Sequence, residues 1–169
     1  LNHIKDKIPF FQKIKLMEGK SYTPLLNPQL SKEILKCNLI IFGPGTQHSS
    51  LFPSYLTSGL LKKIMRNTKC KKIFITNIGA DYETPHFCSS DYIENATKYL
   101  NMSSNLNYKS SEIFDYNLIN INKKNLDRVY IDEYSFNNGV KNIIKNYESL
   151  SYPGYHDPKK IYKLIKKII

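Results

Sequence analysis

Long apolar runs are missing from this chain. No segment approaches the roughly 20 consecutive apolar residues that a membrane-spanning helix needs, so no membrane partner is expected. Cysteine is scarce: Cys37, Cys70 and Cys88 make no C-x-x-C pair, and an odd number cannot all pair within one chain. That argues against a zinc ribbon, a thioredoxin-type site and a disulfide framework. Cys37 opens one apolar segment and Cys70 precedes another, so packing thiols in a reducing cytoplasm are expected. A G-x-x-x-x-G-K-[ST] phosphate loop is absent, and the nearest approach to G-x-G-x-x-G puts His48 where the third glycine would stand. Internal repeats are absent, as is any RNP-type, helix-turn-helix or zinc signature.

The charge is basic, with 25 Lys and Arg against 14 acids and a net charge of +11. The lysines stand dispersed, singly or in doublets such as Lys71-Lys72 and Lys166-Lys167, amid abundant Asn, Ile and Tyr. That pattern fits an AT-biased coding sequence better than a nucleic-acid surface, and no binding motif accompanies it. The chain begins at Leu1 rather than at a Met, and its first residues are not expected to be a signal peptide. We expect a single domain spanning residues 1-169, excerpted from a longer protein, with enough length for a real core.

What the chain does have is an apolar segment ending abruptly in a loop of small residues: Cys37-Asn-Leu-Ile-Ile-Phe-Gly-Pro-Gly-Thr-Gln-His-Ser-Ser-Leu-Phe-Pro53. An apolar run bounded by turn residues reads as a strand buried on both faces of a parallel sheet. In open α/β sheets the loop leaving the carboxyl end of such a strand holds ligands. A loop rich in Gly, Thr and Ser lets backbone N–H groups approach an anion closely, so the segment points to phosphate-bearing ligands.

The remaining elements follow from caps and periodicity. A strand is expected at 14–16, and a helix from Asn27-Pro28 with Leu30, Ile34 and Leu35 on one face. Strand 38–42, loop 43–50 and a helix carrying Leu60, Leu61, Ile64 and Met65 come next. Strand 72–76 leads into a polar loop, 77–85, and then to a helix near Ser90 or Asp91, where Asp91 and Glu94 have capping-box spacing. Strands are expected at 116–121 and 129–131, and residues 140–147 as a helix or a turn-rich connection. Asp157-Pro158 starts an amphipathic helix with Ile161, Leu164, Ile165 and Ile168 on one face. Strand–helix–strand order predicts a doubly wound, mostly parallel α/β sheet. If strands 38–42 and 72–76 are parallel, loops 43–50 and 77–83 converge on one crevice.

Within that crevice, Gly43 and Gly45 let a ligand approach the backbone, or serve only a tight strand-to-helix turn. Thr46, Ser49 and Ser50 add three hydroxyls, for phosphate or as helix caps. His48 is a donor to phosphate, an acid or base, or a partly exposed loop histidine. Asp81, Glu83 and His86 are candidates for acid–base or metal work, although loops are rich in such residues anyway. Asn77 ends a strand on the ligand edge, to read a base or hydroxyl or to hold its own loop. Asp91 reads as a cap and His156 as a packing residue. Tyr147, Tyr152 and Tyr155, around Pro153-Gly154, read as cover for a core edge.

Taken together, these segments resemble the 2-phospho-L-lactate transferase (CofD)/gluconeogenesis factor (YvcK) family. The resemblance rests on Gly43-Pro-Gly-Thr-Gln-His-Ser-Ser-Leu-Phe-Pro53, on Asn77, Glu83-Thr84, Phe87 and Asp91, and on His156-Asp157-Pro158, in register from about 14 to 169. Departures are Tyr82-Glu83-Thr84-Pro85-His86-Phe87 in place of a Gly-containing P-G-E-T-D-G loop, and Gln47-His48 where Leu and Tyr are common. The family's amino-terminal Gly-rich strand-loop-helix has no counterpart here, so the second half of a Rossmann-like fold is expected. The resemblance implies a nucleotide-binding domain that takes a small molecule linked to a nucleoside diphosphate. On the transferase branch a phosphate-containing group passes to a hydroxyl acceptor with magnesium (Mg2+). Gly45, Thr46 and Ser49 would then cradle the diphosphate, with Asp81 or Glu83 at the metal or the attacking hydroxyl. The alternative branch is a UDP-sugar-binding regulator of cell-envelope and central carbon metabolism, without chemistry. Catalytic candidates are therefore His48, Asp81 and Glu83; ligand candidates are Gly43, Gly45, Thr46, Ser49, Ser50 and Asn77. A cytoplasmic homo-oligomer is expected.

Overall fold

A computed structural model of the chain describes residues 14–15, 21–121 and 127–169. Four parallel strands form the main sheet: β3 (Leu39–Phe42), β4 (Lys71–Ile75), β5 (Tyr116–Asn120) and β6 (Lys141–Lys145), lying side by side in chain order. Two short strands precede them as a separate antiparallel pair, β1 (Ile14–Lys15) and β2 (Ser21–Tyr22). The helices are α1 (Pro28–Lys36), α2 (Phe52–Tyr55), α3 (Leu60–Arg66), α4 (Ser89–Ser104), α5 (Ser110–Ile113) and α6 (Pro158–Ile168). None is long and apolar enough to cross a membrane among the described residues.

Local chemistry sets the helix starts. Asn27 Oδ1 accepts from Gln29 N at 2.8 Å and Leu30 N at 3.4 Å, with Pro28 at the first helical position. Asp157 Oδ1 does the same for α6, accepting from Lys159 N at 2.8 Å. In α4 the cap differs from expectation. Asp91 does cap, but it reaches back to Cys88 N at 2.9 Å as the third helical residue, so the helix begins earlier and Glu94 is not its partner.

The sheet sorts side chains by alternation into two cores. Phe42 and Phe74 face the larger one, with Phe52, Leu61, Tyr92, Ala96, Tyr99 and Phe114 from the helices between the strands. Ile73, Ile75 and Leu118 face the other side, where α6 lays down Ile165 with Ile161 and Leu164 packed beside it. Helices thus cover both faces, as a doubly wound Rossmann-like sheet requires.

Three expectations are corrected. β3 is not buried on both faces: it is the edge of the described sheet, and Ile41 is 46 % exposed. Residues 140–147 contain strand β6, whose five residues Lys-Asn-Ile-Ile-Lys pair along the whole of β5. Residues 129–131 are not a strand of the sheet. Val129 N donates to Ile78 O at 3.0 Å and Tyr130 O accepts from Ser89 N at 3.0 Å, so this segment ties the loop after β4 to the start of α4. Asp132 completes that tie, accepting from Ser90 N, Ser90 Oγ and Ser89 Oγ. Burial works to raise its carboxyl, and the hydrogen bonds from Ser135 and Ser90 outweigh that, holding it far below the usual range.

Candidate functional site

β3 and β4 run parallel, so the loops after them leave the same edge of the sheet and meet. Asn77, just past β4, clamps the first loop from both sides: its Oδ1 accepts from Gly45 N at 3.0 Å and its Nδ2 donates to Gly45 O at 3.1 Å. Two carboxylates of the second loop then receive the backbone N–H groups that follow. Asp81 Oδ2 accepts from Gln47 N at 3.3 Å. Glu83 Oε2 accepts from His48 N at 2.9 Å and from Ser49 N at 3.1 Å. Asp81 Oδ1 also accepts from Glu83 N at 3.1 Å, which fixes the second loop on itself. Residues 47–51 form a single π-helical turn ahead of α2. Its amino end is thus satisfied by acidic side chains from another loop, as orphan N–H groups at a helix start demand.

His48 turns away from solvent and is 5 % exposed. Its ring meets Phe52 edge-on at 5.1 Å, with Phe87 and Tyr99 at 6.3 and 6.5 Å. Burial lowers its pKa below the ordinary value, against the opposing pull of Glu83 and Asp81. Phe52 stacks on Tyr99 at 4.1 Å, which roots the loop in the larger core. Thr84 Oγ1 and Tyr92 Oη, 3.1 Å apart and both buried, root the second loop in α4.

The other wall of the crevice comes from later in the chain. Ala80 N donates to Asp127 O at 3.0 Å, and Gly79 bridges Arg128. Arg128 donates to Glu148 Oε1 at 2.6 Å, and the same oxygen accepts from Gly154 N at 2.6 Å. Glu148 is itself placed by Asn120 at the carboxyl end of β5, whose Oδ1 accepts from Tyr147 N at 2.5 Å and Glu148 N at 3.0 Å. His156 Nε2 lies 3.1 Å from Thr76 O. Burial lowers the His156 pKa, partly countered by that contact. Gly154 has φ +88, the left-handed region where glycine is at home, and a Cβ there would stand 3.1 Å from the Arg128 guanidinium.

Between the walls is a cleft of about 500 Å³, lined among others by Gly45, Thr46, Asp81, Arg128, Tyr155 and His156. The structure brings Gly45, Thr46, Asn77 and Asp81 to this cleft. Glu83 and Ser49 do not line it and are joined to each other, and Ser50 is exposed on the turn. His48 lies in the aromatic cluster and does not line the cleft. His86 is exposed, and His3 lies outside the described residues. Gly43 and Gly45 have no positive φ. A Cβ on Gly43 would meet nothing within 4 Å, and one on Gly45 only the Leu51 side chain at 3.6 Å. Neither the turn nor the packing calls for glycine at these two positions.

Sequence reasoning missed Arg128, Glu148 and Asn120, and it assigned His156 to packing alone. The available signals were an Asn ending an apolar strand, as Asn77 does, and the His-Asp-Pro run before the last helix. Among the described residues the carboxylates beside the cleft hold loop N–H groups and form no preformed cage for a resident magnesium ion. Both Asp81 oxygens and Glu83 Oε2 already accept backbone N–H groups. Among the described residues no group of three or more His, Cys, Asp or Glu could hold a metal ion.

Comparison with known proteins places this geometry in a family. Two curated relatives, both named "Putative gluconeogenesis factor", come from Thermotoga maritima and Streptococcus pneumoniae. The first is 31 % identical over 77 residues, covering 45 % of this chain and 24 % of the relative. The second is 35 % identical over 82 residues, covering 46 % and 24 %. A Streptococcus pyogenes relative of the same name is 25 % identical over 128 residues, 73 % of this chain and 36 % of its own. The matches therefore span only about a quarter to a third of these relatives' length. The solved structure of protein BH3568 from Bacillus halodurans superimposes with a TM-score of 0.70 at 19 % identity, covering 96 % of this chain and 54 % of that one. A second structure of BH3568, described as a member of the UPF0052 family, gives 0.69. At that identity they show the shared fold. The family model described as "2-phospho-L-lactate transferase CofD" matches residues 5–156, and the chain belongs to the CofD family.

Proposed function

We propose that the crevice binds a small molecule linked to a nucleoside diphosphate and that this chain acts as a binding domain. One observation carries the reading: Gly45 lines the cleft, at a position where neither backbone conformation nor packing calls for glycine. Close approach of a ligand to the backbone at Gly45 accounts for it. Support comes from Arg128, a cation with several N–H donors on the opposite wall, and from a cleft volume in the range of small-molecule sites. The curated relatives' name, a gluconeogenesis factor, is compatible with binding and regulation. The buried His48 and the loop-holding carboxylates leave the binding reading with fewer demands than a catalytic one.

Calorimetric titration of the full chain with UDP, GDP and a UDP-sugar, each with and without magnesium, tests the proposal, together with the variant Gly45→Ala. Binding that falls at least ~10-fold in Gly45→Ala, with the melting temperature within ~2 °C of the parent, is expected, because the new Cβ has room in the free protein. Unchanged affinity in the variant, or no binding by the parent, overturns it.

A second reading is transfer of a phosphate-containing group from such a donor to a hydroxyl acceptor. It is favoured by the family description and by the Asp81 carboxylate on the cleft wall. Release of free nucleotide during the same titrations, suppressed by Asp81→Asn, would favour transfer; intact ligand after prolonged incubation would favour binding alone.

A further inference from the structure

At the amino ends of β3 and β4, across the sheet from the crevice, the sulfur atoms of Cys37 and Cys70 lie 3.5 Å apart. Cys37 caps the carboxyl end of α1, its N–H donating to Glu33 O at 2.9 Å. Cys70 directly precedes β4, and Lys71 N donates to Asn38 O at 2.9 Å, which holds the two segments side by side. Asn67 fixes the approach from the third side. Its Nδ2 donates to Ile34 O at 2.7 Å and to Cys37 O at 2.8 Å. Two thiols 33 positions apart are thus aimed at one another by backbone pairing and a buried amide, not by sequence proximity.

We propose that Cys37 and Cys70 are a modification site: a dithiol that closes to a reversible disulfide and staples β3 to β4. A disulfide sets its sulfurs ~2.05 Å apart, so they need to approach by only about 1.5 Å. The two thiols differ in access. Cys37 is half-buried, whereas Cys70 is 2 % exposed. Burial first, and then the hydrogen bond with Cys37, push the Cys70 thiol up to about 11. Cys37 is therefore the thiol that meets the reagent.

With a low-molecular-weight disulfide as oxidant, the Cys37 thiolate attacks one sulfur and forms a mixed disulfide, expelling one reagent thiolate. The Cys70 thiolate then attacks the Cys37 sulfur and expels the second. Two protein thiols lose two protons and two electrons, and the reagent leaves as two thiols. Cys88 stays apart. It is 7 % exposed and hydrogen-bonded to Ser90 Oγ at 3.2 Å and Asp91 Oδ2 at 3.1 Å. The closed loop would contain β3, the Gly-Pro-Gly loop, α2 and α3. A constraint of that length on the unfolded chain raises the melting temperature by about 10 °C.

The test is incubation of the protein with oxidised glutathione, followed by intact-mass and non-reducing peptide mass spectrometry. The expected product is 2 Da lighter, carries no glutathione, retains one free thiol and yields a linked Cys37–Cys70 peptide. It melts about 10 °C higher, and dithiothreitol reverses all of this. Cys70→Ser should stop at a stable glutathione adduct on Cys37. In the parent protein, a persistent adduct, three unreacted thiols, or a link through Cys88 or to another chain overturns the proposal. That outcome needs no variant to fold.

Discussion

The two walls of the crevice are built by different physics. The wall from residues 43–52 and 77–84 stands on the core: Phe52 is fully buried and stacked on Tyr99, His48 packs beside them, and the loop N–H groups end on Asn77, Asp81 and Glu83. The wall from residues 127–128 and 148–156 stands on polar contacts near the surface, with Glu148 as their hub between Arg128 and Gly154. Disturbing the buried side chains that root the first wall should cost folding; disturbing the polar contacts of the second should cost ligand. The difference also bears on charge. The first wall carries two carboxylates that hold its own backbone, whereas the second brings the Arg128 guanidinium to the cleft, the cation that the proposed diphosphate would meet.

The largest effect is expected for Phe52→Ala. Removing this buried ring should destabilise the fold by about 3–5 kcal/mol, read as a loss of unfolding free energy in urea. A loss below ~1 kcal/mol would mean that the first wall does not stand on the core. Arg128→Ala should act the other way round. We expect nucleotide affinity to fall ~10- to 100-fold, the worth of a charge-assisted hydrogen bond, with a much smaller stability change. Arg128→Lys should recover only part, because a lysine keeps the charge without the fork. Equal losses of stability in Phe52→Ala and Arg128→Ala would erase the contrast.

A third effect is a pH dependence shared by the walls. His48 and His156 both have lowered folded pKa values through burial. Their unfolded value is ~6.5, so the stability that comes from keeping them neutral is fully present above about pH 7. It is lost as pH falls below ~6.5, where only the unfolded chain takes up protons, at up to about 1.4 kcal/mol per pH unit for each. Urea unfolding between pH 8 and pH 5 checks this, and His48→Phe should flatten the slope. A slope unchanged by that substitution would show that His48 is not held neutral.

How much of this was legible in the sequence differs between the walls in the same way. The first wall follows from the parallel-strand rule and from turn chemistry, which placed loops 43–50 and 77–83 together. The roles inside it were not legible. Whether Asp81 and Glu83 face a ligand or their neighbours' N–H groups depends on ångström-scale loop geometry. The second wall depends on where the chain returns after β6. The Asn120 bonds to Tyr147 N and Glu148 N set that return, and they leave no spacing or periodicity behind. β6 itself was obscured because Lys-Asn-Ile-Ile-Lys is short and does not alternate, whereas pairing along β5 supplies what propensity lacks. Ile41 misled for the converse reason: an apolar run signals burial, but an edge position exposes it.

The most direct test is a ¹⁵N–¹H titration of the labelled full chain with a UDP-sugar, following each backbone amide. The prediction is saturable shifts at Gly45, Thr46, Gly79 and Gly154, from both walls at once. Shifts confined elsewhere, for instance to the open 710 Å³ groove beside α4 lined by Lys98, Asn101 and Tyr134, would contradict the assignment of ligand binding to the crevice.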